Sequence, residues 1–305
     1  MANQTGGILI LNKSAGMTSH DAVNYVRRLY GTKQVGHTGT LDPMATGVLV
    51  MLVGKATKCA EFFSGEGGII TSDKSYTAIL KLGIETDTGD ITGNVVAKSS
   101  DLPGEEQVLE AIKRFEGEIM QVPPMYSALK RGGVKLADLA RRGITVEREP
   151  RPVKIYSISA KRLADDEYEL NVACSKGTYI RVLCEDIGKT LGCYGTMAML
   201  VRTSAHGFTI DQAVTLGQLE EMSQSEREGR VLPLTKVFES LPKLVLPPFF
   251  ARLARSGCEI YLRKIGAEYL SEGDYATLWE GGEMFAIGKV GRYSKGLAVK
   301  PLKQL

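Results

Sequence analysis

The sequence has little that would tie the protein to a metal ion or to an oxidising compartment. Its 305 residues include five cysteines, three histidines and one tryptophan. The cysteines are odd in number and form no Cys-x-x-Cys pair, so the sequence predicts neither a disulfide framework nor a structural zinc site. The histidines, at positions 20, 37 and 206, are too scattered to indicate a set of metal ligands. A reduced, cytoplasmic protein without a bound metal is the simplest interpretation.

Long apolar runs and a basic leader are also missing. The longest apolar stretches are much shorter than a membrane span, and the opening residues MANQTGGILILNKS carry no basic leader, so we expect neither a membrane segment nor a signal peptide. There is no Gly-x-Gly-x-x-Gly, and Gly54-Lys55 lacks the first glycine and the hydroxyl residue of a Walker A loop. We therefore expect no nucleotide cofactor. The formal net charge of +3 is compatible with RNA binding but does not establish it.

The most informative stretch covers residues 35–58, VGHTGTLDPMATGVLVMLVGKATK. It predicts two short strands around a tight loop with Leu41-Asp42-Pro43 at its tip. Pro43 fixes its own φ and disfavours a helical Asp42, while the apolar run 48–53 is typical of a strand buried on both faces. Asp42 is thus expected on a stiff loop braced by the core, as a catalytic group requires. The alternative is an ordinary Asp-Pro turn whose carboxylate only bonds its own backbone.

A second stretch, SKGTYIR at residues 175–181, precedes an apolar stripe that predicts a helix. If Thr178 caps this helix, Arg181 lies in its first turn, where a cation opposes the helix dipole. The position of Arg181 beside the apolar stripe indicates burial, so its guanidinium should have a carboxylate partner. An ordinary surface acid such as Glu185 would also meet this requirement.

The segment from Tyr126 to Tyr156 is strongly basic. Its eight cations and three acids give a net charge of +5, which exceeds the net charge of the whole chain. Such a run is usually only a solvated surface. Proline, glycine and tyrosine residues among the cations also fit a surface that follows RNA phosphates. The candidates for RNA binding in this segment are Lys130, Arg141 and Arg142.

Two further stretches bear on the site. Residues 74–82 alternate as a strand that places Tyr76 on the apolar face, where a core tyrosine is the ordinary interpretation. A flexible connection over residues 64–68 is expected before it. Residues 82–90 contain the Asp-Thr-Gly triplet of aspartic proteases, but only one copy is present and that chemistry needs two. We therefore expect a solvated hairpin there.

The character of the chain changes near Leu241. From this point short alternating segments are separated by glycine turns, which favours a small β-barrel. The sequence therefore predicts two domains, residues 1–240 and residues 241–305.

Two of these stretches resemble the signatures of the TruB-type tRNA pseudouridine synthases. They are GHTGTLDPMATGVL at residues 36–49 and KGTYIR at residues 176–181. The resemblance implies an α+β fold with a long mixed, mostly antiparallel sheet flanked by helices, together with a C-terminal PUA-like RNA-binding domain. It also implies that Asp42 is the nucleophile and that Arg181 pairs with it. An ion pair of this kind would lower the pKa of Asp42.

The same resemblance implies further roles. Asp42 would act at the ribose of a flipped-out uridine, either by adding at C1′ or by removing the C2′ proton. The ring of Tyr76 would pack on the target uracil, and its hydroxyl would handle a proton late in the reaction. Tyr179 and Leu200 would complete the pocket, and His37 would occupy or prop open the vacated space. The implied substrate is the uridine at position 55 in the T stem-loop of tRNA, with no cofactor, and a monomer is expected.

Two other functions stay open on the sequence alone. One is an RNA-binding or RNA-chaperoning protein without catalysis, which would have no use for a carboxylate–guanidinium pair in its groove. The other is a hydrolase that uses the aspartate as nucleophile on a different glycosidic bond. A hydrolase would release free base or free sugar, whereas an isomerase releases neither.

Overall fold

The structure, a computed structural model, describes residues 6–65 and 69–305. Residues 1–5 and 66–68 lie outside the described residues. The first range belongs to the N-terminus for which no leader was expected, and the second belongs to the expected flexible connection over residues 64–68. Within the described ranges, no helix is both long and apolar enough to cross a membrane.

Strands and helices are interspersed over residues 6–240. The described strands are β1 (Gly7–Lys13), β2 (Val35–His37), β3 (Thr46–Val53), β4 (Lys74–Leu82), β5 (Ile84–Thr86), β6 (Val95–Lys98), β7 (Gly117–Gln121), β8 (Lys130–Arg131), β9 (Val134–Lys135), β10 (Arg151–Arg162), β11 (Glu167–Cys174), β12 (Gly195–Ala205), β13 (Phe208–Thr209) and β14 (Leu232–Pro233). The described helices are α1 (Ser19–Leu29), α2 (Glu105–Lys113), α3 (Leu136–Ala140), α4 (Ile180–Leu191), α5 (Leu216–Glu221), α6 (Gln224–Gly229) and α7 (Leu234–Val237).

Ten of these strands form one mixed sheet. Its order is β14-β1-β3-β12-β4-β11-β10-β7, with β2 attached to β3 and β13 attached to β12. The contact between β3 and β12 is parallel, pairing Thr46 with Val201 and Gly47 with Arg202, while its described neighbours pair antiparallel. The expected long, mixed, mostly antiparallel sheet with flanking helices is confirmed. The loop that carries Asp42 leads directly into this parallel contact.

Strand β3 is buried on both faces, as its continuous apolar run predicted. Leu49 and Met51 pack on one face into the cluster that holds the apolar residues of α1 and α4. Val48 and Val50 pack on the opposite face, into a cluster completed by aromatic residues such as Phe62. Because successive side chains of a strand point to opposite faces, one apolar run fills both layers. The strand is therefore a rigid support for the loop before it.

The C-terminal part of the chain forms a second, five-stranded sheet in the order β15-β17-β18-β19-β16. Its elements are β15 (Lys243–Val245), α8 (Pro248–Arg255), β16 (Ile260–Tyr261), β17 (Tyr275–Glu280), β18 (Glu283–Tyr293) and β19 (Gly296–Gln304). The sheet curls into a half-barrel, which confirms the expected small barrel-like unit. Ile287 of this sheet packs into the same cluster as Phe62, so the two parts of the chain share a core.

Helix α2 begins after Gly104. Residues Gly54–Phe63 form a 3₁₀ helix. The cap of α4 differs from the predicted one. The N-cap of α4 is Tyr179 and not Thr178, whose hydroxyl instead donates to the Ser175 carbonyl at 3.0 Å. Arg181 still falls in the first turn of α4, as expected.

Candidate active site

A cavity of about 210 Å³ opens beside the loop that follows β2. Its walls come from this loop, from β4 and β12 of the large sheet, from the segment after β7 and from the start of α4. The lining residues are Thr40, Leu41, Asp42, Lys74, Tyr76, Tyr126, Ser127, Ala128, Gly177, Thr178, Tyr179, Ile180, Arg181 and Leu200. Of the residues predicted for catalysis and for the pocket, all but His37 line this cavity.

The loop carrying Asp42 is anchored to the N-terminal elements of the chain. The Leu41 N–H donates to Ser19 Oγ at 2.8 Å, and the Ser19 hydroxyl lies 3.1 Å from the Leu41 carbonyl oxygen. The Lys13 ammonium donates to the carbonyl of Pro43 at 3.3 Å. Both neighbours of Asp42 are thus bound to other elements, so the loop is stiff, as the sequence predicted.

Asp42 and Arg181 form a two-point ion pair. Nε of Arg181 lies 3.0 Å from Oδ2 of Asp42, and Nη2 lies 3.3 Å from Oδ1. The Arg181 side chain is 4% exposed, whereas that of Asp42 is 34% exposed and faces the cavity. The alternative partner, Glu185, instead pairs with Lys189 at 3.7 Å. The carboxylate is therefore oriented from behind and keeps an accessible edge for a ligand.

Two backbone carbonyls and a second carboxylate complete the surroundings of Arg181. Its guanidinium donates to the Thr88 carbonyl at 2.9 Å and to the Tyr126 carbonyl at 2.7 Å. Oδ2 of Asp90 lies 4.0 Å from its Nη1, and Asp90 is buried. The solvated hairpin expected over residues 82–90 is therefore wrong at its end, since this turn packs onto the site and supplies charge to it.

Sequence reasoning missed Asp90, although a signal was present. The Asp90 carboxylate accepts hydrogen bonds from the hydroxyls of Thr88 and Thr92 and from the Thr92 N–H. Threonines on both sides of an aspartate are the local pattern of such a tied turn. A fixed turn, unlike a solvated one, can hold a carboxylate against a distant arginine.

Burial raises the pKa of Asp42, and the adjacent Arg181 guanidinium acts in the opposite direction. The Asp90 carboxylate adds to the rise, while the Lys13 ammonium opposes it. Burial outweighs the ion pair in the net shift of the pKa, although the ion pair itself lowers the pKa as expected. A raised pKa makes the ionised carboxylate a better base and nucleophile near neutral pH.

Tyr76 and Leu200 form one wall of the cavity from the neighbouring strands β4 and β12. Leu200 pairs with Ala78 across the two strands, and Tyr76 pairs with Arg202. Both side chains are almost fully buried in the absence of a ligand, at 8% and 7% exposure. Burial raises the pKa of Tyr76 to about 12, against the effect of the nearby Arg202 cation.

Tyr179, the N-cap of α4, also lines the cavity. Gln121, which is buried, accepts from the Tyr179 N–H at 3.0 Å and donates to its carbonyl at 3.3 Å. This pair of bonds fixes the backbone of Tyr179 although its helix has no side-chain cap. Gln121 is a second residue that the sequence did not reveal, because its partner lies in a distant segment.

Two lysines add positive charge that the sequence analysis did not anticipate. Lys74 lines the cavity, and burial lowers its pKa to about 8. Lys13 is fully buried under the loop of Asp42, and burial lowers its pKa to about 8 as well. Either lysine therefore loses its proton more readily than a solvated lysine.

The other predicted residues lie outside the cavity lining. His37 is in β2 opposite Met51, half-buried, and burial followed by the Arg202 cation lowers its pKa. Lys130 lines a neighbouring cavity of about 320 Å³, together with other cations of the basic segment. Arg141 and Arg142 are exposed at the end of α3. In the described part of the chain, no three acidic, histidine or cysteine side chains group as a metal site.

Comparisons with known proteins cover most of the chain. A family model described as TruB family pseudouridylate synthase (N terminal domain) matches residues 27–180, and one described as tRNA pseudouridylate synthase B C-terminal domain matches residues 181–247. The chain is 48% identical to the tRNA pseudouridine synthase B of Dechloromonas aromatica (strain RCB) over 239 residues, which are 78% of either protein. It is 42% identical to the same enzyme of Aromatoleum aromaticum (strain DSM 19018 / LMG 30748 / EbN1), over 90% of this chain and 88% of the relative.

Solved structures share the fold. The crystal structure of a Cbf5-Nop10-Gar1 complex aligns with 99% of this chain and 85% of that chain, with a TM-score of 0.70 and 26% identity. The structure of an H/ACA RNP bound to a substrate RNA containing 2'-deoxyuridine aligns with a TM-score of 0.68 at 24% identity, over 99% of this chain and 85% of that chain.

Proposed function

Because the chain belongs to the TruB family of pseudouridylate synthases, we propose that its cavity receives the uridine at position 55 of the tRNA T stem-loop and that Asp42 is the reactive carboxylate. As a family member the chain is a tRNA pseudouridine synthase, an isomerase that converts uridine to pseudouridine. Position 55 as the target uridine and the roles of the individual residues are proposals.

The observation that carries the proposal is the two-point ion pair between Asp42 and Arg181 at the cavity wall. The reaction breaks the bond between N1 and C1′ and joins C5 to C1′; C5 loses a proton and N1 gains one. No electron or group is gained or lost, so the chemistry asks for a placed carboxylate and needs no cofactor. The open edge of Asp42 supplies it, either by adding at C1′ or by taking the C2′ proton.

The cavity walls suit a base that must turn without leaving. Tyr76, Tyr179 and Leu200 all line the cavity with apolar surface, which would enclose the detached uracil. The Tyr76 hydroxyl is the group proposed to handle the proton that C5 releases. Burying this ion pair is unfavourable because both charges lose their hydration, and a protein that only binds RNA would gain nothing from it.

Recognition of the RNA is proposed to rest on shape and phosphates. The target base is stacked in an RNA loop, so it must be flipped out to reach Asp42. His37, close to the cavity although not in its lining, would fill the vacated space. Lys130, Arg141 and Arg142 are exposed cations that would contact phosphates of the stem-loop.

The larger organisation is proposed from the same features. Residues 1–240 form the catalytic domain, and residues 241–305 form a PUA-like domain that binds RNA. The active species is proposed to be a monomer. The five cysteines of the chain are free thiols, which fits the reducing cytoplasm. Light scattering during gel filtration, with and without tRNA, tests the monomer.

The test of the reaction uses a tRNA transcript labelled with tritium at C5 of its uracils. Joining C5 to the sugar expels this hydrogen, so tritium appears in water, one equivalent per tRNA. A transcript with cytidine at position 55 is the matched control and should release none. Equal release from both transcripts would contradict the assigned position. Free uracil or free ribose in place of the isomer would show a hydrolase.

A further inference from the structure

A second arginine near the cavity, Arg202, is buried without an acidic partner. Its side chain is among the largest fully enclosed ones, at 2% exposure. Its Nε donates to the Val48 carbonyl at 2.7 Å, Nη1 to the Thr40 carbonyl at 3.3 Å and Nη2 to the Gly39 carbonyl at 3.1 Å. In the described residues, no carboxylate forms an ion pair with it. All three of these acceptors are therefore neutral backbone groups.

Such an arrangement is costly for the fold. Removing a guanidinium from water without a counter-ion is unfavourable, and burial accordingly lowers the pKa of Arg202. Hydrogen bonds to carbonyls offset part of this cost, and only an arginine offers several donors in a fixed planar fork. A neutral apolar residue would fill this position in the strand at lower cost. Local rules are commonly broken in this way where function requires it.

The acceptors of Arg202 lie on both ends of the loop that carries Asp42. Gly39 and Thr40 precede the tip of this loop, and Val48 follows it at the start of β3. The guanidinium therefore joins the two ends across the neck of the loop. A lost contact here would allow the neck to widen and the carboxylate to shift.

The backbone at the same position ties the neck to the sheet. Arg202 pairs with Gly47 on the parallel side and with Tyr76 on the antiparallel side. A Cβ placed on Gly47, whose φ is +99°, would lie 2.2 Å from the Arg202 carbonyl oxygen, so the two chains approach as closely as only glycine permits. The guanidinium also lies beside the Tyr76 hydroxyl and favours its ionised form.

We propose that Arg202 is a positioning residue of the reaction, which holds the neck of the Asp42 loop and the hydroxyl of Tyr76 in one fixed arrangement. This inference rests on the proposed function, because it assumes that Asp42 and Tyr76 act on the same nucleotide. Asp42 lies on the loop before β3, and Tyr76 lies on β4. The Arg202 guanidinium donates to both ends of that loop and lies beside the Tyr76 hydroxyl. Its loss should slow the chemical step and leave the capture of tRNA intact.

The test compares Arg202→Lys and Arg202→Gln with the matched control Arg227→Lys. Arg227 also donates to three backbone carbonyls, those of Leu29, Leu219 and Glu220, and it does not line the cavity. A lysine ammonium cannot reproduce a planar fork, and glutamine leaves no buried charge behind. Tritium release under single turnover, the tRNA Kd and the unfolding midpoint are measured for each variant.

We expect the Arg202 variants to release tritium about 100-fold more slowly than the wild type, since a small misplacement of reacting groups has an effect of this size. Their tRNA Kd should stay within about 3-fold of the wild-type value, and Arg227→Lys should keep the wild-type rate. A folded Arg202 variant that matches Arg227→Lys in rate overturns the inference. Failure of both Arg202 variants to bind tRNA overturns it as well, since the residue is then needed for the fold alone.

A double-mutant cycle with Tyr76→Phe separates positioning from general stability. If Arg202 acts partly through the Tyr76 hydroxyl, Arg202→Lys should reduce the rate of tritium release by a clearly smaller factor in the Tyr76→Phe background than in the wild type. Equal fold-changes in both backgrounds would overturn the coupling. Wild-type protein is the check on the premise: without tritium release from wild type, the proposed function fails, whatever the variants do.

Discussion

The arginines of the cavity and those of the basic segment 126–156 occupy opposite surroundings. The Arg181 side chain is 4% exposed and is bound by Asp42 and by two backbone carbonyls. The Arg141 side chain is 71% exposed, and its one ion-pair partner among the described residues is Asp138, three positions before it in the chain. The same guanidinium is thus fixed by distant segments in one place and by a local neighbour in the other.

The difference in burial separates the residues expected to direct the reaction from those expected to bind tRNA. A buried pair is poorly screened and has one geometry, so it can direct a reacting oxygen. An exposed cation is screened by salt and moves freely, so it attracts phosphates without defining where a base will sit. We therefore expect changes in the cavity to affect the rate of isomerisation, and changes in the basic segment to affect the binding of tRNA.

Asp42→Asn should give the largest effect in the cavity. It removes the charge that reacts with the ribose while keeping the size of the side chain, so the single-turnover rate should fall by about 10⁴-fold or more. The tRNA Kd should stay within about 3-fold, because the exposed cations are unchanged. Tritium release from C5-labelled tRNA measures the rate, and filter binding measures the affinity.

The control for this variant is Asp101→Asn, which neutralises an exposed acid outside the cavity lining. It should match the wild type in both assays. Turnover by Asp42→Asn at more than a trace of the wild-type rate would refute the assigned role, and a joint loss of rate and affinity would erase the distinction between the two regions.

Asp90→Asn should have a smaller effect and a diagnostic pH dependence. The Asp90 carboxylate raises the pKa of Asp42, so its neutralisation lowers that pKa. Asp42 must be ionised to react, and the rate falls as the pH drops through its pKa. The acid limb of the rate should therefore move to lower pH, while the plateau falls about 10-fold because Arg181 loses an anchor.

Single-turnover rates between about pH 5 and 8 measure this shift, with Asp101→Asn again as the control. An acid limb that stays in place, or moves to higher pH, would show that Asp90 does not act on Asp42 through its charge.

Some residues of this site could be predicted from the sequence and others could not. Asp42 lies in a short loop stiffened by Pro43, and Arg181 is a cation at a helix start. Both stand in short motifs that resemble family signatures, so single segments made them candidates. Asp90 and Gln121 act through partners in distant segments, and no local pattern shows which segments meet. The lowering effect of Arg181 on the pKa of Asp42 was predicted, but the larger effect of burial was not, because the extent of burial depends on the complete fold.

Arg202 is an intermediate case. An arginine in the run Met199-Leu200-Val201-Arg202, inside a strand of the central sheet, breaks the apolar pattern as clearly as Arg181 does. From this strand, Leu200 was the one residue predicted for the site. The fold was easier to predict, since the strand alternation and the apolar run of β3 are local. The cap of α4 was predicted one residue too early, because the backbone of Tyr179 is held by Gln121 from a distant segment.

Charge reversal at Arg141 and Arg142 should weaken tRNA binding and leave the rate of isomerisation unchanged. Two phosphate contacts replaced by repulsion should weaken tRNA binding by about 10-fold or more at low salt and reduce the salt slope by about two. At saturating tRNA the single-turnover rate should equal that of the wild type. Binding isotherms at several salt concentrations give both quantities.

The adjacent cations Lys113 and Arg114 provide the matched control. They are also exposed and consecutive, but they end a helix that carries Glu105, Glu106 and Glu110, so their surface should not attract RNA. Their charge reversal should leave affinity and salt slope unchanged. Equal weakening by both double variants would mean that net charge alone matters and that the basic segment is not the contact surface.

Asp138→Asn should give the smallest effect and therefore the finest test of the comparison. It breaks the exposed ion pair with Arg141, and such pairs contribute at most about 1 kcal/mol, so the free energy of unfolding should fall by no more than this amount. The freed Arg141 and the lost negative charge should tighten tRNA binding by about 2-fold at low salt. Urea unfolding and filter binding measure the two effects. If this variant were as destabilised as one that breaks a buried pair, Arg141 would be a structural residue, and the contrast between fixed and mobile guanidinium groups would not hold in this segment.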